Sequence, residues 1–152
     1  MMRGIILVLA MLVGLLMSRP VAAEDLLIIA NRSVTVAAPL GLGRIAAIYL
    51  LRMTTWPDGT HIVPVNREAT SMARETFASR VLREDNATLA VYWNEMHYRG
   101  KLPPVVQESE QAMLAFVQKV PGAIGYIGTA TRPVGVRVLG RVREVAAGKG
   151  NR

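Results

Sequence analysis

A polar loop between an apolar run and an amphipathic stretch carries the residues best suited to chemistry. The segment 62–77, IVPVNREATSMARETF, predicts a strand, a short loop and the N-terminus of a helix. The first backbone N–H groups of a helix have no partner inside the helix and lie at the positive end of its dipole. A junction of this kind is therefore a candidate anion site.

Six consecutive or nearly consecutive residues form this candidate anion-binding site. Arg67 offers a planar fork of donors that suits two oxygens of an oxyanion. The hydroxyl groups that follow can donate a hydrogen bond, the next two backbone amides can point at the ligand, and a second arginine adds positive charge. We predict that the site comprises Arg67, Thr70, Ser71, Met72, Ala73 and Arg74.

The same residues also have a purely structural interpretation. Ser71 or Thr70 can cap the helix, Glu75 can complete a capping box, and Arg67 can be a solvated loop residue. Met72 favours this interpretation, because close approach of the backbone to a ligand would favour glycine at that position. Both interpretations stay open at this stage.

The first 23 residues have the features of a secretory signal peptide. Arg3 precedes an uncharged apolar run of 14 residues, Gly4 to Met17, which is shorter than the roughly 20 residues that a membrane span needs. Small residues at 21–23 (VAA) predict cleavage after Ala23. The alternative is an uncleaved anchor, which Arg19 would assist. We expect a periplasmic protein with no membrane span after cleavage.

Residues 24–152 would then form a single domain. Loss of Arg3 and Arg19 leaves 16 basic against 11 acidic residues, a net charge of +5, which indicates a soluble surface or an attraction to anions. Nucleic acid is not expected as a partner of an exported chain. The sequence contains no cysteine, so disulfides and thiolate metal sites are excluded.

Apolar runs alternate with amphipathic stretches along this domain, which predicts an α/β fold. We predict strands at 26–30, 62–65, 123–127 and 134–139, and a WPDG turn at 56–59. Helices are predicted over 42–52, beyond the loop at Arg67, after an N-cap at Asn86, and before Pro121. The residues predicted on the core faces of these four helices, in chain order, are Ile45, Ile48 and Tyr49; Met72, Phe77 and Val81; Leu89, Tyr92, Trp93 and Met96; and Met113, Phe116, Val117 and Val120. The segment after about residue 140 is expected to be a flexible basic tail.

Three phrases in this order resemble the phosphate ABC-transporter substrate-binding protein family. They are IYLLRMTTWPDGTHIVPV at 48–65, YWNEMHYRGKLPP at 92–104 and PGAIGYI at 121–127. The resemblance implies one lobe of a periplasmic-binding-protein-like fold, with a small central sheet flanked by about four helices. It also implies a role in solute uptake.

The resemblance places a phosphate-binding motif on the Arg67 loop, with three of its five residues changed. Full-length members use an Arg, an Asp and then Ser-Gly-Thr at a helix N-terminus. Arg67 and Ser71 match, whereas Ala69, Met72 and Ala73 stand where the family has Asp, Gly and Thr. Ala69 cannot accept a proton from hydrogen phosphate. A single lobe would also leave an anion poorly enclosed, so we expect weak binding.

Two functional hypotheses follow. The first is an exported domain, similar to one lobe of phosphate-binding proteins, that binds a small inorganic oxyanion weakly. The second is a non-catalytic module that has lost ligand selectivity and binds a protein partner of the cell envelope. No cofactor is expected. His61 and His97 lack neighbours with metal-ligand spacing, and no nucleophile elbow surrounds Ser71, so neither a metal site nor an enzyme is predicted.

Overall fold

The computed structural model describes residues 24–143, which form a five-stranded mixed sheet with helices on both faces. The signal peptide predicted for residues 1–23, and the tail beyond residue 143, lie outside the described residues. The strands are β1 (Leu26–Ala30), β2 (Val63–Arg67), β3 (Val105–Gln107), β4 (Ala123–Gly128) and β5 (Arg137–Val142). The helices are α1 (Leu42–Tyr49), α2 (Met72–Phe77), α3 (Asn86–Tyr98) and α4 (Glu110–Lys119), with a π-helical turn, Ala78–Leu82, that continues α2.

The strand order is β3-β2-β4-β1-β5. β2 is parallel to both of its neighbours, while β1 is antiparallel to β4 and β5. β2 and β4 therefore lie inside the sheet, and their residues are almost entirely buried. The predicted α/β class with a small sheet and about four helices is confirmed.

Two apolar clusters fix the helices on the two faces of the sheet. On one face, α1 and the α2 segment pack Tyr49 and Phe77 against Tyr126 of β4. The Phe77 and Tyr126 rings are stacked with centroids 4.2 Å apart. On the other face, α4 buries Met113 and Val117 against β2 and β4. Burial of these side chains provides most of the driving force for this arrangement.

The helix predicted after residue 86 begins one residue earlier than expected. Asp85, not Asn86, is the N-cap, and its side chain accepts a hydrogen bond from Thr88 N at 2.7 Å. Both residue types cap helices well, so the sequence did not distinguish them. Only Leu89 of the predicted core face is buried, because α3 packs on Leu50, the C-cap residue of α1, and on Ala78 of the π-helical turn.

Several boundaries also differ from the predictions. β2 begins at Val63 and extends to Arg67, and β5 begins at Arg137 and extends to Val142. β3 was not predicted because its two valines are exposed and lack the alternation of a half-buried strand. Met72 was expected in the core but is 46% exposed, at the first position of α2.

The WPDG turn at 56–59 and the turn at Pro121-Gly122 meet at one end of the sheet. The indole of Trp56 is buried and donates a hydrogen bond to Gly122 O at 3.0 Å. Gly122 has a φ of +77°, and a Cβ there would lie 2.1 Å from His61 O. Only glycine fits this position, for both conformational and steric reasons.

No helix within residues 24–143 is long and apolar enough to cross a membrane.

Candidate functional site

Strand β2 carries Arg67 to the end of the sheet and holds it below the surface. Arg67 is the last residue of β2 and is buried, so the alternative interpretation of Arg67 as a solvated loop residue is wrong. Its backbone N–H donates to the Tyr126 hydroxyl at 3.1 Å, and that hydroxyl donates to Asn66 Oδ1 at 2.5 Å. These bonds fix the Arg67 backbone, and so they fix the position from which its side chain extends.

The Arg67 guanidinium is already paired with carboxylates of the chain. Nε lies 2.9 Å from Glu68 Oε2, and Nη2 lies 3.0 Å from Glu68 Oε1. Nη1 lies 3.8 Å from Glu110 Oε1. The Arg67 fork therefore binds two oxygens of one planar anion, and that anion is the side chain of the next residue.

Ser71 is the N-cap of α2. Its hydroxyl accepts a hydrogen bond from Arg74 N at 3.1 Å and donates to Glu68 O at 3.0 Å. The capping interpretation of Ser71 is thus confirmed. The capping box is not formed, because the Ser71 backbone N–H donates to Glu68 O at 3.1 Å and the third helical residue is Arg74, one position before Glu75.

Four of the six predicted site residues line one cavity of about 340 Å³ beside the Arg67 guanidinium. The lining residues are Arg67, Ser71, Met72 and Ala73, together with Glu24, Leu26, Thr76 and Glu110. Thr70 is exposed and does not line the cavity, and neither does Arg74. The structure thus brings the arginine, the cap hydroxyl and the helix N-terminus together at one cavity.

Arg74 points toward the protein and away from this cavity. Its Nη1 donates to Arg67 O at 3.4 Å, and its Nε is buried without a hydrogen-bond partner among the described residues. Its positive charge lies near two buried phenols. Burial has the largest effect on these phenols, and it raises the pKa of Tyr126 to about 12 and the pKa of Tyr49 well above its ordinary value. The charge of Arg74 acts in the opposite direction and lowers both pKa values. Arg74 therefore contacts the end of β2 beneath the Arg67 side chain and does not contribute to the cavity.

Two carboxylates of the cavity were not predicted from the sequence. Glu110 accepts a hydrogen bond from Gly128 N at 2.7 Å and another from the Thr131 hydroxyl. Glu24 accepts a hydrogen bond from Ala130 N at 2.7 Å. Both residues are far from Arg67 in the sequence, so no local sequence pattern predicts that they lie beside it. They hold the loop after β4, and they make the cavity less positive than Arg67 alone suggests.

Metal ligation has no support in the described part of the chain. Within residues 24–143, no three His, Asp or Glu side chains come together in a group that could hold a metal ion. The carboxylates beside Arg67 are instead occupied by hydrogen bonds to backbone, hydroxyl and guanidinium donors.

Sequence comparison matches residues 11–139 to the family described as PBP superfamily domain. A comparison with curated protein sequences found no significant match.

Comparison with solved structures found proteins of similar fold. An ABC-type phosphate transport receptor from Vibrio cholerae is 21% identical over 76% of this chain and 45% of its own, with a TM-score of 0.61. A putative phosphate ABC transporter substrate-binding protein with bound phosphate from Clostridium perfringens is 22% identical over 76% of this chain and 44% of its own, with a TM-score of 0.61. PstS from Borrelia burgdorferi is 17% identical over 76% and 46%, with a TM-score of 0.58. At these identities the likeness establishes the fold, and the chain spans less than half the length of each of these proteins.

Proposed function

This chain belongs to the PBP superfamily domain family, and from that membership we propose that it is a non-catalytic solute-binding domain for a small oxyanion of the phosphate type. The ligand would bind in the cavity beside Arg67, with the helix N-terminus at Ser71 as the second side of the site. A role in solute uptake is part of this proposal.

One observation carries the proposal: a buried guanidinium and a helix N-terminus line the same cavity. The Arg67 side chain is only 10% exposed, so its attraction to an anion is less screened by water than that of a surface arginine. The first amides of α2 have no partner inside the helix. A tetrahedral oxyanion could accept hydrogen bonds from both sets of donors at once.

The affinity should be weak. Glu68 and Glu110 lie next to Arg67, and Glu24 lines the same cavity, so their negative charges offset the arginine. Ala69 offers no group to accept a proton from hydrogen phosphate. A dissociation constant in the millimolar range, about 4 kcal/mol of binding free energy, fits such a site.

Calorimetric titration with phosphate and sulfate tests the assignment. We expect saturable millimolar binding that Arg67→Lys weakens by about tenfold, because lysine keeps the charge but loses the two-pronged geometry. Arg44→Lys, the same exchange on the exposed face of α1, is the matched control and should bind like wild type. Equal affinity for Arg67→Lys and wild type would refute the assignment.

The hydrogen bonds of Ser71 support a non-catalytic role. A nucleophilic serine needs a base that accepts its proton. The Ser71 hydroxyl instead donates its proton to the Glu68 carbonyl and accepts from the Arg74 amide, so it serves the helix. Incubation with phosphate-ester and peptide substrates should give no turnover.

Export to the periplasm is the second part of the proposal and rests on the first 23 residues of the sequence. If the signal peptide is cleaved after Ala23, the protein recovered from a secreting bacterial host should begin at Glu24. Intact-mass spectrometry of the periplasmic fraction measures this directly. A protein that retains residues 1–23 and stays in the membrane fraction would support the uncleaved anchor.

A second candidate function is a partner-binding module, favoured by an exposed apolar surface at strand β3. Val105 and Val106 are exposed on this edge strand, and Tyr98 and Leu102 before it are 87% and 72% exposed. A groove of about 270 Å³ runs beside them, lined largely by apolar side chains. Leu102→Asp should abolish co-purification of an envelope protein if this surface binds one, while Val91→Asp on α3 should not.

A further inference from the structure

The donors that would hold an oxyanion are filled by a carboxylate of the chain itself. Glu68 places both carboxylate oxygens on the Arg67 fork, at 2.9 and 3.0 Å. An external oxyanion that binds the Nε and Nη2 edge of the guanidinium needs the same two donors. The other edge is no freer, because Nη1 lies 3.8 Å from Glu110 Oε1. Glu68 and an external ligand therefore compete for one pair of donors.

The structure lets the Glu68 side chain leave without unfolding the site. The side chain is 31% exposed, against 10% for Arg67, so the carboxylate can return to water while the guanidinium stays in place. The backbone of Glu68 is held independently, because its carbonyl accepts hydrogen bonds from both the N–H and the hydroxyl of Ser71. A rotation about the side-chain bonds of Glu68 is enough to free the Nε and Nη2 donors of Arg67.

We propose that Glu68 is an internal competitor that occupies the Arg67 site until an oxyanion displaces it; this inference rests on the proposed function. A tethered carboxylate acts at an effective concentration of millimolar or more. Free monocarboxylates such as acetate offer no advantage over it and should not displace it. Divalent tetrahedral oxyanions, phosphate and sulfate, carry more charge than a monocarboxylate and are attracted more strongly to the buried guanidinium, so they are the ligand class that the site selects.

The test compares anion binding by wild type, Glu68→Gln and Glu75→Gln. Removal of the Glu68 charge should lower the dissociation constant for sulfate by about tenfold or more, since a charge-assisted contact no longer has to be broken. It should also allow acetate to bind measurably. Glu75→Gln removes the same charge from an exposed position on α2 and should change the dissociation constant by less than about twofold. Glu68→Ala is a second variant in case the glutamine keeps a hydrogen bond to Arg67.

The double variant Arg67→Lys/Glu68→Gln separates the two proposals. If the double variant lacks the tighter sulfate binding of Glu68→Gln, the result supports both the Arg67 site and the competition by Glu68. If wild type and both Glu68 variants bind sulfate equally, and Arg67→Lys alone weakens binding, the competition is refuted and the anion site stands. If no variant binds an anion, or if the double variant still binds sulfate more tightly than wild type, the anion site at Arg67 is refuted. The competition by Glu68 is then refuted as well.

Discussion

The phenol oxygen of Tyr126 lies 3.1 Å from the backbone nitrogen of Arg67 and accepts its hydrogen bond. The same oxygen donates to Asn66 Oδ1 at 2.5 Å. One side chain of β4 thus satisfies two buried polar groups at the end of β2. This contact fixes where the Arg67 side chain begins, and so it fixes the geometry of the candidate site.

Replacement of Tyr126 by Phe should destabilise the protein by about 1–3 kcal/mol, because it leaves the Arg67 N–H and the Asn66 oxygen buried without a partner. Urea denaturation followed by circular dichroism measures the change. Tyr98→Phe removes a hydroxyl from a ring that is 87% exposed and serves as the control. Equal stability of the two variants would contradict the proposed role of the Tyr126 hydroxyl.

The stability should also fall at alkaline pH because of the buried phenols. Burial raises the pKa of Tyr126 to about 12 and raises the pKa of Tyr49 well above its ordinary value. The unfolded chain releases these protons at about pH 10, so the stabilisation is complete below that pH and is lost as the pH rises towards about 12. Urea midpoints measured from about pH 8 to about pH 11 should decline. The decline should be smaller in Tyr126→Phe, and an unchanged slope would contradict the assignment.

Glu68 should titrate below the ordinary range of a glutamate. Hydrogen bonds from Arg67 lower the pKa of the Glu68 carboxyl, so the contact contributes stability above the ordinary pKa of about 4.3 and loses it as the pH falls through the lowered pKa. The other titratable or charged groups around the pair are Glu24, Glu110, Arg74 and Tyr126. Carbon-detected NMR of the Glu68 carboxyl measures its pKa. In Arg67→Ala the pKa should rise, and the same value in both proteins would show that the pair does not form in solution.

Gly122 and Gly43 should respond in opposite directions to the same substitution. Gly122→Ala forces a Cβ to within 2.1 Å of His61 O at a φ of +77°, so we expect a loss of at least about 2 kcal/mol. Gly43 is the second residue of α1, with nothing within 4 Å of a Cβ, so Gly43→Ala should stabilise the protein by up to about 1 kcal/mol. Thermal unfolding of both variants measures the two changes. A neutral Gly122→Ala would contradict the close turn-to-turn packing.

The sequence predicts the elements around the site better than the contacts inside it. Alternating apolar residues before Arg67 and a hydroxyl at Ser71 were enough to predict a strand, a loop and a capped helix, because these signals are local. The partners of Arg67 were not predictable in this way. Glu110 arrives from another helix and Glu24 from the segment before β1, so their positions depend on strand order and register. Glu68 adjoins Arg67 in sequence, but adjacency alone does not indicate a bidentate pair.

An oxyanion site at Arg67 is tested most directly by a sulfate titration of ¹⁵N-labelled protein followed by NMR. Sulfate keeps a constant charge, so pH does not complicate the result. We expect saturable shifts of the Arg67 Nε–H signal and of the backbone amides of Met72 and Ala73. In Arg67→Lys, which lacks the guanidinium signal, the shifts of the two amides should weaken. Shifts that do not saturate by tens of millimolar, or that lie only at exposed arginines such as Arg44, would contradict an oxyanion site at Arg67.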